Sequence, residues 1–156
     1  YGDAAITLPV GNVSQEKLKL VETTYRALYN GIARAVPGAH LQDVSHAIET
    51  TARQAGYDVV REYVGHGIGR NLHEEPSVPN YGEPGVGPRL EVGMVFTLEP
   101  MLTMGKGDVE VLEDGWTVVT KDRLPAAHFE HVIVLTNDGP KILSLLPDGR
   151  EVKWNG

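Results

Sequence analysis

The chain has 156 residues and a mass of 17.0 kDa, the size of one domain with a substantial core. Its net charge of −7 argues against a nucleic-acid binder, since such proteins usually carry a basic face. The chain contains no cysteine, which excludes disulfides, thiolate nucleophiles and cysteine-ligated zinc. No apolar run is long enough to predict a membrane span, and the absence of cysteine suits a cytoplasmic protein.

The first third of the chain predicts one strand and two helices. Apolar residues alternate within Tyr1–Val10, which is typical of a strand. Ser14 is placed to cap a helix over Gln15–Val36, where apolar residues recur at intervals of three and four. The same period predicts a second helix over Leu41–Ala55, which Gly56 ends.

The stretch that follows, REYVGHGIGRNLHEEP, places two histidines beside several glycines. Gly65 and Gly67 flank His66, and glycine lets a backbone turn sharply or come close to another group. We expect a histidine on such a turn to face a functional site rather than to be buried in the core. His73 follows seven residues later, so the pair cannot form the two-histidine helix face of an HExxH protease. The alternative is a glycine-rich hairpin with two incidental histidines.

The remainder predicts mostly strands. The expected features are a loop over Ser77–Arg89, a buried strand over Met94–Leu98, a turn or hairpin region over Lys106–Glu113, a turn followed by a strand over Asp114–Thr120, a strand over Ala126–Leu135, a turn at Asn137–Gly139, a last strand over Pro140–Leu146 and a mobile tail over Pro147–Gly156. The order strand, helix, helix and then strands indicates an α+β fold, with helices on one face of a largely antiparallel sheet.

Three carboxylates interrupt apolar strands in this sequence: Asp3, Glu99 and Glu130. Glu130 shares strand parity with Val132, so we expect it to face the core. Each carboxylate alone could be a satisfied residue at a sheet edge. Together with His66 they would repel one another without a cation. Hard oxygens with one imidazole suit Mn²⁺, Fe²⁺, Co²⁺ or Zn²⁺, and bridging carboxylates point to two metals.

Four blocks in this order, GHGIGRNLHEEP, MVFTLEPM, DGWTVVTKDR and FEH, resemble the type I methionine aminopeptidases. The resemblance runs from Gly2 to about Leu146. The first block alone would also admit proline-specific peptidases, whereas the Asp-Gly-Trp-Thr block favours the methionine enzymes. The resemblance implies the pita-bread fold, here mainly its C-terminal half: an antiparallel sheet backed by two helices.

The resemblance also implies roles for individual residues. Asp3, His66, Glu99 and Glu130 match metal ligands of the family, and Glu99 is also expected to carry a proton. His73 matches a catalytic histidine that contacts the substrate and stabilises developing negative charge.

The methionine pocket is represented by two further positions. Trp116 matches a pocket wall. Leu72 occupies a substrate-binding position that is often aromatic in the family.

The activity implied by the resemblance is removal of the initiator methionine from nascent proteins and peptides. The implied cofactors are two divalent ions, Co, Mn, Fe or Zn, which activate water in a dinuclear exopeptidase. The implied partner is the N-terminus of a peptide or of a nascent protein at the ribosome. The resemblance implies no specific nucleic-acid partner and no membrane association. A proline-specific exopeptidase and a non-catalytic pita-bread binding module are the alternatives.

The first residues of the chain lead us to expect that it is a piece of a longer protein. It opens Tyr-Gly-Asp, as though within a strand. The first aspartate ligand of the family would precede Tyr1. We therefore expect residues 1–156 to be the C-terminal portion of one catalytic domain, with the N-terminal half as its partner.

Overall fold

A computed structural model describes residues 1–150. The elements in chain order are β1 (Ala4–Ala5), α1 (Gln15–Arg34), α2 (Leu41–Gln54), β2 (Asp58–Val59), β3 (Gly65–Gly67), β4 (Glu74–Val78), β5 (Val95–Leu98), β6 (Met101–Thr103), β7 (Val109–Val111), β8 (Val118–Thr120), β9 (Ala126–His128), β10 (Glu130–Thr136) and β11 (Gly139–Ile142). Within these residues, neither helix has the length and apolar composition that a membrane crossing requires.

The strands of the described region form one main sheet and two small ones, all antiparallel. The main sheet has the order β1-β10-β5-β3-β4, with β11 also paired to β10. A second sheet has the order β2-β6-β9, and β7 pairs with β8 as a hairpin. The predicted α+β class is therefore confirmed. The region Lys106–Glu113, predicted as a turn or hairpin, contains β7, and the strand predicted within Asp114–Thr120 is β8.

The hydrophobic core lies between the two helices and one face of the main sheet. Its fully buried side chains include Leu28 and Ile48 from the helices and Phe96, Leu98 and Ile133 from the strands. Burying each of these side chains contributes roughly 1.5–3 kcal/mol. This packing explains why the helices formed where the intervals of three and four predicted them.

The predicted strand over Tyr1–Val10 is wrong in extent, because only Ala4–Ala5 pairs with β10. The alternation beyond it does not reflect burial, since Val10 is 89% exposed. The Thr7 hydroxyl instead donates to the carbonyl of His128 at 2.8 Å and accepts from its N–H at 2.9 Å. A side chain thus replaces the strand ladder and anchors the segment that carries Asp3.

The predicted strand over Ala126–Leu135 is two strands in different sheets. β9 pairs with β6, and β10 pairs with β5 after a break at Phe129. The buried Phe129 ring packs edge-on against Tyr25, with centroids 5.7 Å apart. A continuous apolar run does not reveal such a break, because the change of partner is set by distant residues.

The prediction that Glu130 faces the core is also wrong. The intervening residue, His131, is within 3.3 Å of the Tyr29 hydroxyl on α1, and Ile133 belongs to the core. Because neighbouring strand residues point to opposite faces, Glu130 and Val132 lie on the sheet face turned away from the helices.

The remaining boundaries differ by a few residues. α1 ends at Arg34, and Ser14 occupies the N-cap position without a side-chain capping bond. The loop predicted over Ser77–Arg89 begins inside β4. The last strand is Gly139–Ile142. Of the predicted tail, residues 151–156 lie outside the described part of the chain.

Replacing Gly67 by alanine is expected to displace β3 from β4. A Cβ at Gly67 would collide with the backbone carbonyl oxygen of Glu75, which cannot move away as a side chain can. We expect Gly67→Ala to lower the free energy of unfolding by about 1–3 kcal/mol in urea denaturation. Gly2→Ala is the matched control, because a Cβ there meets open space. Equal stability of the two variants would contradict this account of β3.

Candidate metal centre

Neighbouring strands bring the predicted ligands to the sheet face turned away from the helices. His66 lies in β3, which pairs with both β4 and β5. Glu130 begins β10, where it pairs with Ala5 of β1, and Asp3 immediately precedes β1. Glu99 follows directly after β5, on the same face as Thr97 two residues earlier. Segments distant in sequence thus converge on one point.

The ligand-competent atoms of these side chains lie close to one another. Asp3, His66 and Glu130 each offer a ligand atom, and the three atoms lie within 4.8 Å of one another. The Nε2 atom of His66 is 3.8 Å from an Asp3 oxygen and 3.6 Å from Glu99 Oε1. Asp3, His66 and Glu130 thus form the tighter group, which Glu99 approaches through His66.

The hydrogen bonds of His66 define which of its nitrogens can bind a cation. Its Nδ1 atom lies 2.9 Å from the carbonyl oxygen of Gly67. Since a carbonyl only accepts, Nδ1 carries the proton and donates it. In the neutral ring Nε2 then presents a lone pair toward the oxygens of Asp3 and Glu99. Donor atoms facing one another in this way fit a shared cation.

The buried carboxyls of this group resist ionisation. Burial raises the pKa of Glu130 to about 8, and the nearby charges of Glu99 and Asp3 add to the rise. Burial also raises the pKa of Glu99, against the opposing effects of a hydrogen bond from Thr97 and of His66. A divalent cation would compensate the concentration of negative charge. The donor set of oxygens and one imidazole nitrogen therefore fits a divalent metal ion.

The four predicted ligands line an open cavity of ≈ 420 Å³ together with His73. The ring of His73 is solvent-exposed, and its centroid is 4.3 Å from that of His66. Glu75 and Tyr63 also line the cavity, and sequence reasoning had not selected them as site residues. The two histidines of the glycine-rich stretch thus lie side by side at this cavity, His66 mostly buried and His73 exposed.

The two predicted pocket residues lie apart from this cavity. Trp116 is 87% exposed near the β7–β8 turn, and Leu72 is 36% exposed. Neither is among the residues that line the cavity. Their substrate-binding roles remain predictions.

Thr97 is a site residue that sequence reasoning missed. Its hydroxyl accepts from the His66 N–H and donates to Glu99 Oε1, both at 2.9 Å. The signal was a hydroxyl within the apolar MVFTLEP run, two positions before Glu99 and therefore on the same strand face.

The stability of the metal-free chain should fall as pH rises from about 4.5 to about 8. Burial raises the pKa of Glu130 to about 8 in the folded state, whereas an exposed glutamate in the unfolded chain has a pKa of 4.5. Between these two pH values the folded state holds a proton that the unfolded state has released. The expected loss in free energy of unfolding over the whole titration is on the order of 5 kcal/mol. Urea denaturation of chelator-treated protein across this range measures it.

Glu130→Gln should flatten this pH dependence, because the variant has no proton to lose. Exposed Glu113→Gln is the control and should retain the slope of the original chain. A slope that is unchanged in Glu130→Gln would contradict the assignment to Glu130.

Comparison with known proteins places this geometry in a family. Residues 1–137 match metallopeptidase family M24. Methionine aminopeptidase 1 of Bacillus subtilis (strain 168) is 51% identical over 144 residues, 92% of this chain. The alignment covers 58% of that relative, so the chain spans little more than half the length of the curated proteins it matches.

Solved structures give the same result for the fold. The methionine aminopeptidase of Rickettsia prowazekii has a TM-score of 0.91 at 45% identity, covering 93% of this chain and 59% of that one. The prolidase of Pyrococcus furiosus has a TM-score of 0.70 at 23% identity, covering 93% and 37%, and supports the fold alone. The pita-bread fold is confirmed, and the chain belongs to metallopeptidase family M24.

Proposed function

We propose that the protein carrying this chain removes the N-terminal methionine from peptides and nascent proteins. The observation that carries the proposal is the convergence of Asp3, His66 and Glu130 within 4.8 Å, with Glu99 close to His66. Relatives named methionine aminopeptidase are 45–51% identical over at least nine-tenths of the chain, which supports this substrate over others of the fold. The proposed location is the cytoplasm, where nascent chains emerge from ribosomes.

The complete activity is proposed for a protein with a second half. Because the chain spans 58% of the length of its B. subtilis relative, residues equivalent to the rest of that enzyme are the proposed partner. They would supply the remaining metal ligand and the rest of the substrate pocket. The four-ligand group of this chain would then form one side of the site.

The proposed cofactor is a pair of divalent ions chosen from Co, Mn, Fe and Zn. His66 would offer Nε2 to these ions, and Asp3, Glu99 and Glu130 would offer carboxylate oxygens. When bound, two such ions supply Lewis-acid chemistry and make water nucleophilic near neutral pH.

The residues of this chain account for the proton transfers and the charge stabilisation. Glu99 is poised to take a proton from the attacking water and return it to the leaving amine, since its buried carboxyl has a raised pKa. His73 is placed on the open side of the cavity, where its ring can donate a hydrogen bond to the oxygen that becomes negative. Trp116 and Leu72 are the proposed contacts for the methionine side chain.

In the protein that includes the second half, His73→Ala should reduce kcat for a Met-Ala peptide by about 10²–10³-fold, the usual cost of removing one donor to a developing oxyanion. Metal content should be unchanged, because His73 lies outside the proposed ligand set. Steady-state kinetics and elemental analysis of the same samples measure both quantities. His46→Ala is the control, since His46 is exposed and bonds to Gly82 instead of lining the cavity.

Three results would contradict the proposal in different ways. Loss of metal in His73→Ala would make His73 a ligand. Hydrolysis of Xaa-Pro but not Met-Ala peptides would identify a proline-specific exopeptidase. A metal-loaded protein that binds peptide without hydrolysing it would identify a binding module.

A further inference from the structure

Thr97 occupies a position in β5 where an apolar residue would be expected. Its neighbours Phe96 and Leu98 point into the helix-facing core, and Thr97 itself is 0% exposed on the opposite face. Its Cα partner across the sheet is Val132. A buried hydroxyl costs free energy unless it is hydrogen-bonded. The bonds of Thr97 must therefore account for its presence.

Both hydrogen bonds of the Thr97 hydroxyl end on predicted metal ligands. The N–H of His66 donates to Oγ1 at 2.9 Å. Oγ1 in turn donates to Oε1 of Glu99 at 2.9 Å. A hydroxyl has one proton, and the backbone N–H occupies one of its lone pairs, which directs that proton toward Glu99. One atom thus links the main chain of His66 to the carboxylate of Glu99.

The main chain of Glu99 is held separately from its side chain. The amide of Asn80, which is 1% exposed, donates to the Glu99 carbonyl oxygen at 3.2 Å. This bond fixes the backbone of Glu99, whereas the Thr97 hydroxyl fixes the position of the Glu99 carboxylate. The two anchors together restrict the rotamers available to Glu99.

We propose that Thr97 is a positioning residue of the metal centre. It sets the orientation of the Glu99 carboxylate relative to His66 and does not itself touch the metal. The inference rests on the proposed function, in which both residues are ligands. Hydrogen-bond partners of metal ligands commonly change metal affinity by about 10–100-fold when they are removed.

Thr97→Val tests the proposal, because valine keeps the branched shape and removes the hydroxyl. Calorimetric titration of the full chain with Mn²⁺ should show an affinity about 10–100-fold weaker than that of the original chain. Thr97→Ser keeps the hydroxyl, so its Mn²⁺ affinity should lie within about threefold of that of the original chain. If Thr97 only filled space, the smaller serine would not preserve the affinity. If Thr97→Val does not fold, as far-UV circular dichroism would reveal, Thr97→Ala replaces it in the same comparison.

Thr103→Val is the matched control for loss of a buried hydroxyl. Thr103 is also 0% exposed in a strand, and its hydroxyl donates to the Gly105 carbonyl away from the cavity. This variant should lose thermal stability while keeping its Mn²⁺ affinity. Equal weakening of Mn²⁺ binding in Thr103→Val and Thr97→Val would overturn the proposal, because the effect would then be one of general stability.

Glu99→Gln separates the positioning role from the proposed function. If it weakens Mn²⁺ binding and folded Thr97→Val does not, the positioning role is overturned and the ligand set stands. If Glu99→Gln binds Mn²⁺ as tightly as the original chain, Glu99 is not a ligand. That result overturns the positioning role and the ligand role of Glu99 in the proposed function, but not the group of Asp3, His66 and Glu130.

Discussion

Three carboxylates on one face of a sheet repel one another, and the fold must hold them together at a cost in free energy. Asp3, Glu99 and Glu130 are brought together beside His66, where burial raises the pKa of Glu99 and Glu130. Hydrophobic packing on the other face must hold the strands in place against this unfavourable energy. A divalent cation converts the same arrangement into a stable site, because it matches the charge and the donor atoms.

The sheet achieves this convergence by breaking its strands where the ligands lie. Glu99 sits between β5 and β6, and Glu130 follows the break at Phe129 between β9 and β10. At both points the chain passes from one sheet to the other. The carboxylates therefore occur at strand ends, where a side chain can reach the cavity while the adjoining strand remains packed against the helices.

The sequence predicted the helices, and the clustering of the candidate ligands, better than the strands. Local periodicity defines Gln15–Arg34 and Leu41–Gln54, and charge in an apolar context reveals Glu99 and Glu130. The break at Phe129 depends on which strand pairs on each side, which is non-local information. The face of Glu130 was mispredicted for the same reason: parity relates Glu130 to Val132 but does not say which face meets the helices. The role of Thr97 follows from two hydrogen bonds, one of which reaches His66 in another strand, and a local sequence pattern does not show such a contact.

X-ray diffraction from crystals grown with Mn²⁺ would locate the ion by its anomalous signal. We predict a strong anomalous peak within bonding distance of Asp3, His66 and Glu130, with Glu99 as a further ligand. A well-ordered cavity without such a peak, at an Mn²⁺ concentration that saturates binding in solution, would contradict this prediction. A peak bound by other residues alone would contradict it equally.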